Sequence, residues 1–242
     1  MFRVCNDAGR ATVYLYGTIG PDFWDEEASN TAKEFSQTLD KLTPKPLDIR
    51  IDSGGGDVYE AFGIASAIQR YGGETVAHVD GLAASAASYI AEVCDRVVMS
   101  DFAQLMVHKA WTFAGGNADD LLAIAARLES IDANIAGIIS KRSGMPVDEV
   151  MAAMAAETWF SAADALEHGL CDEVIETEER IAACIDARIA SRYSHVPASV
   201  TVSDEDAAGS ESHAEPMIEE ARTEGRTVLL GNHIYRLEGV GK

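Results

Sequence analysis

Strand-like and helix-like segments alternate along the first part of this chain, and that alternation leaves few architectures open. "ATVYLYGTIG" is β-rich and ends in a glycine turn. From about Glu26 to Leu42, Ala32, Phe35, Leu39 and Leu42 recur at intervals of three or four, the period of an amphipathic helix. "KPLDIRIDS" is a second strand, entered through Pro46. Residues 58–70, "VYEAFGIASAIQR", read as a helix with Val58, Phe62, Ala65 and Ile68 on one face. The strand "ETVAHVD" follows, then the small-residue segment "GLAASAASYIAE" and the strands "DRVVMS" and "AQLMVHK". Strand and helix in alternation specify an α/β fold with a largely parallel sheet.

Asn117 is placed to cap a long helix, with Asp119 and Asp120 in its first turn, where negative charge is favoured. Leu121, Ile124, Leu128, Ile131, Ile135 and Ile138 form one stripe along it, suited either to the core or to another subunit. Two shorter helices, "PVDEVMAAMAA" and "SAADALEHG", precede the strand-like "CDEVIE". After Glu176 the composition changes. "EERIAACIDARIASRY" has the pattern of one more helix, and residues 196–225 carry eight acids against one Arg, a linker composition. "RTVLLGNHIYRLEG" reads as two short strands about Gly231-Asn232. The expected organisation is therefore a domain over residues 1–176 and an extension over 177–242 made of helix, acidic linker and β-hairpin.

Nineteen Lys plus Arg stand against 40 Asp plus Glu, a formal net charge of −21. Such a field repels phosphate, so neither nucleic acid nor an anionic membrane is an expected partner. The four cysteines form no CxxC pair and no metal-ligand spacing, and they read as reduced thiols of a cytoplasmic protein. No apolar run has the length of a membrane span or the form of a signal peptide. No metal or cofactor is called for.

Two loops carry the chemistry. In "IDSGGGDVYEAF", Gly54, Gly55 and Gly56 join a strand to a helix. No Lys-Ser/Thr follows and the spacing is not GxGxxG, so a phosphate cradle is a poor reading. Amides aimed at a developing oxyanion are a better one, beside the bland alternative of a tight turn. In "GLAASAASYIAE", Ser85 stands where a strand meets a helix start, so the next amide, of Ala86, is free in the first turn. A serine nucleophile needs a base. Of the six histidines, His108 closes the strand "LMVHK" at the sheet edge where the strand ends gather.

"IDSGGGDVYEAFGI", "GLAASAASYIAE", "LMVHKA" and "FSAADALEHGLCDEV" together resemble the proteolytic subunit of the Clp protease. Its patterns are I-N-S-P-G-G, G-x-A-A-S, a strand ending V-M-I-H, and F-x-S-A-x-E-A-x-x-Y-G-L-x-D. The similarity covers roughly residues 12–176, in order, and the interval from Gly56 to Ser85 also matches. It implies a crotonase-like spiral of repeated βα units, with Ser85 as nucleophile, His108 as general base, and the amides of Gly56 and Ala86 as oxyanion hole. Glu157 of "AAETWFSA" aligns with the family's triad Asp; Asp148, Glu149 and Asp164 are the neighbouring acids. Gly54 replaces the family's usual Pro. Protein or peptide substrates and homo-oligomeric rings, heptameric and stacked, are likewise implied.

Two departures narrow the resemblance. The first strand begins at Ala11, leaving little room for the segment that engages an unfolding ATPase, so no ATPase partner is expected. The acidic extension is foreign to the housekeeping subunit. Both resemble the Clp-like head maturation proteases of tailed phages, which implies capsid or scaffold proteins as substrates and an assembling capsid as the place of action. The competing readings are the ATPase-coupled housekeeping subunit, an acyl-coenzyme A hydratase or isomerase of the crotonase class, and a catalytically silent ring subunit. A Ser–Lys pair through Lys109 is disfavoured, since adjacent strand residues face opposite ways.

Overall fold

A computed structural model describes residues 4–6, 9–21, 29–42, 45–176, 183–186, 193–197, 200–203, 227–230 and 233–236. Val4–Asn6 (β1) pairs antiparallel with Ala11–Tyr16 (β2), and Thr18–Ile19 (β3) pairs with Ser29–Asn30 (β4). The helix Ala32–Leu39 (α1) follows, then Leu47–Ser53 (β5), Val58–Arg70 (α2), Thr75–Ala84 (β6) and Ala86–Glu92 (α3). Arg96–Ser100 (β7) and Gln104–Val107 (β8) lead to the long helix Ala118–Ser143 (α4). Val147–Ala155 (α5), Thr158–Ser161 (β9), Ala162–Glu167 (α6) and Glu173–Ile175 (β10) complete the domain. Beyond it lie Ala183–Asp186 (β11), Val200–Ser203 (β12), Thr227–Leu230 (β13) and His233–Arg236 (β14).

One eight-stranded sheet organises the molecule, in the order β1-β2-β5-β6-β7-β10. Every neighbouring pair from β2 to β10 is parallel, as the alternating sequence requires. β6 forks: Val76–Val79 pair with β7, whereas Leu82–Ala84 pair with β8, which in turn runs antiparallel to β9. In β5 the pattern is strictly alternate, with Leu47, Ile49 and Ile51 fully buried. These pack with Phe35 and Leu39 of α1 and Ile64 and Ile68 of α2 in one core.

α1 begins later than the apolar period suggested. Asn30 is buried and donates through Nδ2 to the carbonyls of Tyr16 and Thr18, at 2.6 and 2.9 Å. Those bonds hold residues 29–30 extended, and Thr31 then caps the helix by accepting from the Glu34 amide. α4 starts where Asn117 implied, with a reciprocal capping box to Asp120. Its stripe divides. Ile131 and Ile135 are buried in the core, whereas Leu121 is 44% and its neighbour Leu122 69% exposed.

The extension departs most from expectation. In place of a helix at 183–186 there is a strand, paired parallel with residues 200–203 of the supposed linker. Val200, Thr201 and Val202 offer a β-prone partner, and cross-strand pairing overrides a weak helical pattern. Val200 is buried against Leu82, Ala84 and Met106. The two strands expected near the end do pair antiparallel, Leu230 opposite His233. The rest of the expected helix and linker lies outside the described residues.

Candidate active site

The fork in β6 brings three loop ends together. Ser85 follows the last residue of β6 and donates its amide to Met106 of β8, which fixes where β8 ends relative to it. His108, the next residue after β8, is thereby set beside Ser85, and its Nε2 lies 2.7 Å from Ser85 Oγ. Ser85 has φ 54° and ψ −121°, a conformation costly for a residue with a Cβ, of the kind nucleophilic serines adopt at a sharp strand-to-helix turn. Ser88 anchors that turn, donating through Oγ to the Ser85 carbonyl at 2.7 Å. Tyr89 anchors α3 to the first turn of α2 by donating to the Val58 carbonyl.

The glycine loop is pressed against the same point. A side chain at Gly55 would meet the Ala84 carbonyl and Ser85 Cβ, each at 2.7 Å. At Gly56, φ is 154° and a Cβ would lie 2.0 Å from the Ile19 carbonyl oxygen. Only glycine fits there, because β3 bridges to Gly56 and occupies the space. The bridge uses the amides of Ile19 and Asp57. Neither the Gly56 nor the Ala86 amide donates to an acceptor among the described residues. Both border a cleft of about 560 Å³ that also holds Ser85, His108 and, deeper, Ile131 and Ile135.

His108 is largely buried, and burial lowers its pKa from the ordinary imidazole value, against the opposing pull of Glu157 and Asp132. A neutral imidazole can accept a proton from Ser85. The third expected residue is placed differently. No carboxylate among the described residues is within hydrogen-bond distance of the other imidazole nitrogen. Glu157 instead accepts from the Ser194 amide at 2.8 and 2.9 Å and from the His195 amide at 2.7 Å. Two amide donors, making three contacts, outcompete one imidazole donor for this carboxylate. Of its neighbours, Asp164 serves the capping box of α6, while Asp148 and Glu149 lie in the first turn of α5.

Three participants carried no signal in the sequence. Asp132 is buried on α4 and accepts from the Ala110 amide at 2.8 Å, tethering the segment just past His108. Asp52 is half-buried at the end of β5 and accepts from the Leu82 amide. Tyr193, from the extension, sets its ring edge-on to His108 with centroids 5.4 Å apart. Its position in a compositionally shifted segment pointed nowhere. Among the described residues no group of His, Cys, Asp or Glu is arranged to hold a metal ion, and no helix is long and apolar enough to cross a membrane.

Residues 19–178 match the family model described as Clp protease. The chain belongs to the Clp protease family. This Clp-family chain is 29% identical over 159 residues to the ATP-dependent Clp protease proteolytic subunit of Porphyromonas gingivalis, covering 64% of this chain and 72% of that protein. The corresponding subunit of Bacteroides fragilis (strain ATCC 25285) is 30% identical over 154 residues, 62% of this chain and 74% of that protein. Subunit 2 of Borreliella burgdorferi is 28% identical over 145 residues, 59% and 73% of the two chains. The family is one of serine endopeptidases, and this Clp-family chain has a serine and a histidine in contact at the ends of adjoining strands.

Proposed function

We propose that Ser85 and His108 are the nucleophile and general base with which this chain hydrolyses peptide bonds. The supporting observation is the 2.7 Å contact of Nε2 with Oγ at a serine held in a strained turn. His108 takes the proton as Ser85 Oγ attacks the scissile carbonyl carbon. The resulting oxyanion accepts hydrogen bonds from the Gly56 and Ala86 amides, and the imidazolium passes its proton to the departing amine. Water, deprotonated by the same imidazole, then releases the acyl group from Ser85. Glu157 is the acid assigned to orient His108.

The test is labelling with a fluorophosphonate probe followed by mass spectrometry of the adduct. Probe on Ser85 in the parent chain, and none on Ser85→Ala, is the expected result. Peptide hydrolysis should fall by on the order of 10³-fold or more in that variant, the scale on which triad members act. Undiminished turnover of correctly folded Ser85→Ala would remove the mechanism.

Assembly into rings and action on proteins follow the same reading, with the exposed N-terminal half of α4 as the contact between rings. The substrate has two readings. The relatives' names speak for a subunit that works with an ATPase. The residues beyond 178, outside the family match and rich in acids, favour capsid or scaffold processing. Discrete cleavage of such a protein by the chain alone supports maturation; hydrolysis that requires an added unfolding ATPase and ATP supports the other.

A further inference from the structure

Tyr193, Ser194 and His195 belong to the extension, yet they make their contacts in the candidate active site. The Tyr193 ring is edge-on to His108, at 5.4 Å, and to Trp159 of β9, at 5.8 Å. Its hydroxyl donates to the Gly54 carbonyl, so the side chain spans from the glycine loop across the imidazole to β9. It also forms one wall of the cleft that contains Ser85. The next two amides hold the Glu157 carboxylate, both of whose oxygens are engaged. Trp159 Nε1 adds a long contact at 3.5 Å, and the exposed His195 ring lies 3.8 Å away. Glu157 itself has φ 52°, a left-handed backbone that a non-glycine residue adopts at a cost. Val196 and Val200 continue the attachment, packed with Tyr193 and Trp159 on Leu82, Ala84 and Met106.

We propose that residues 193–195 are an inhibitory strap, which holds the Glu157 carboxylate away from His108 and covers the imidazole with Tyr193. A carboxylate already held by two backbone amides gains nothing by turning to the imidazole, so the base is left without the partner that fixes its tautomer. A peptide threading past Ser85 between the glycine loop and β9 must also displace the Tyr193 bridge. Release of the strap frees Glu157 to accept from His108 Nδ1 and opens the cleft in one step. This inference rests on the Ser85–His108 reading above.

Proline has no amide hydrogen, so Ser194→Pro with His195→Pro in the full chain removes the donors without touching Ser85, His108 or Glu157. The expected result is faster fluorophosphonate labelling of Ser85 and faster peptide hydrolysis, by about tenfold or more, a fraction of what an orienting acid supplies in such triads. His108 is faced by Glu157 and by Asp132; bringing Glu157 onto it raises its pKa, so the acid limb of the rate profile should move to higher pH. Tyr193→Ala, which leaves the backbone able to fold as before, should give a rise in the same direction. Rates unchanged or lowered in both variants, with Ser85 still labelled in the parent, overturn the strap and leave the Ser–His reading standing. A rise with the acid limb unmoved overturns the part given to Glu157. Absence of label on Ser85 in every chain overturns both.

Discussion

At the scale of single residues, the site is held by backbone geometry and its acids are set by burial. Asp52 shows the second effect. Desolvation raises its pKa to about 6, with the Leu82 amide pulling the other way and Asp80 adding to the rise. Its folded pKa is above its unfolded one, so the folded state binds the extra proton between roughly pH 4 and 6. Stability therefore falls as pH rises through that window, and above it the penalty is constant. Asp52→Asn keeps an acceptor for Leu82 and carries no charge. It is expected to melt higher than the parent at pH 7.5, the advantage shrinking as pH falls and vanishing by about pH 4, in paired thermal unfolding curves. Ser85 and His108, the proposed nucleophile and base, were readable in the sequence because they sit at element ends, where small-residue and strand signals mark the position. The partner of Glu157 was not, because it comes from amides near forty residues later, and an amide has no sequence signature.

Among the elements, α4 separates what a periodic pattern can say from what it cannot. Its start was fixed by Asn117 and its apolar spacing by the chain, but one stripe turned out to serve two environments. Ile131 is 6% exposed and packed in the core, so Ile131→Lys buries an unpaired charge and should destabilise by about 3 kcal/mol or more. Leu122 is 69% exposed, so Leu122→Lys should leave thermal stability within about 0.5 kcal/mol of the parent. If rings meet through this half of the helix, the same change halves the assembly in sedimentation without unfolding it. A monomeric parent at micromolar concentration would rule out that contact. The parallel order of the main sheet followed from alternation alone. The strand at 183–186 did not, since a short segment's preference yields to whichever partner the fold supplies.

The whole molecule carries a formal charge of −21, which bears on assembly more than on fold. Like-charged subunits repel over a Debye length of about 10 Å at 0.1 M salt and about 3 Å at 1 M. Oligomers are therefore expected to strengthen as salt rises, the sedimentation coefficient shifting upward over that range; an assembly that falls apart with added salt would instead be held by ion pairs. The fork of β6 carries a further consequence. Its first half is laddered to β7 and its second half to β8, with β5 along the other side, so few amides of the strand that leads into Ser85 can meet water without the sheet parting. Protons on Val76–Val79 and Leu82–Ala84 should then be among the last to trade with solvent deuterium, on the timescale of global opening. Ser85 hangs from the slowest-breathing part of the chain, so its contact with His108 should part only when the whole fold opens.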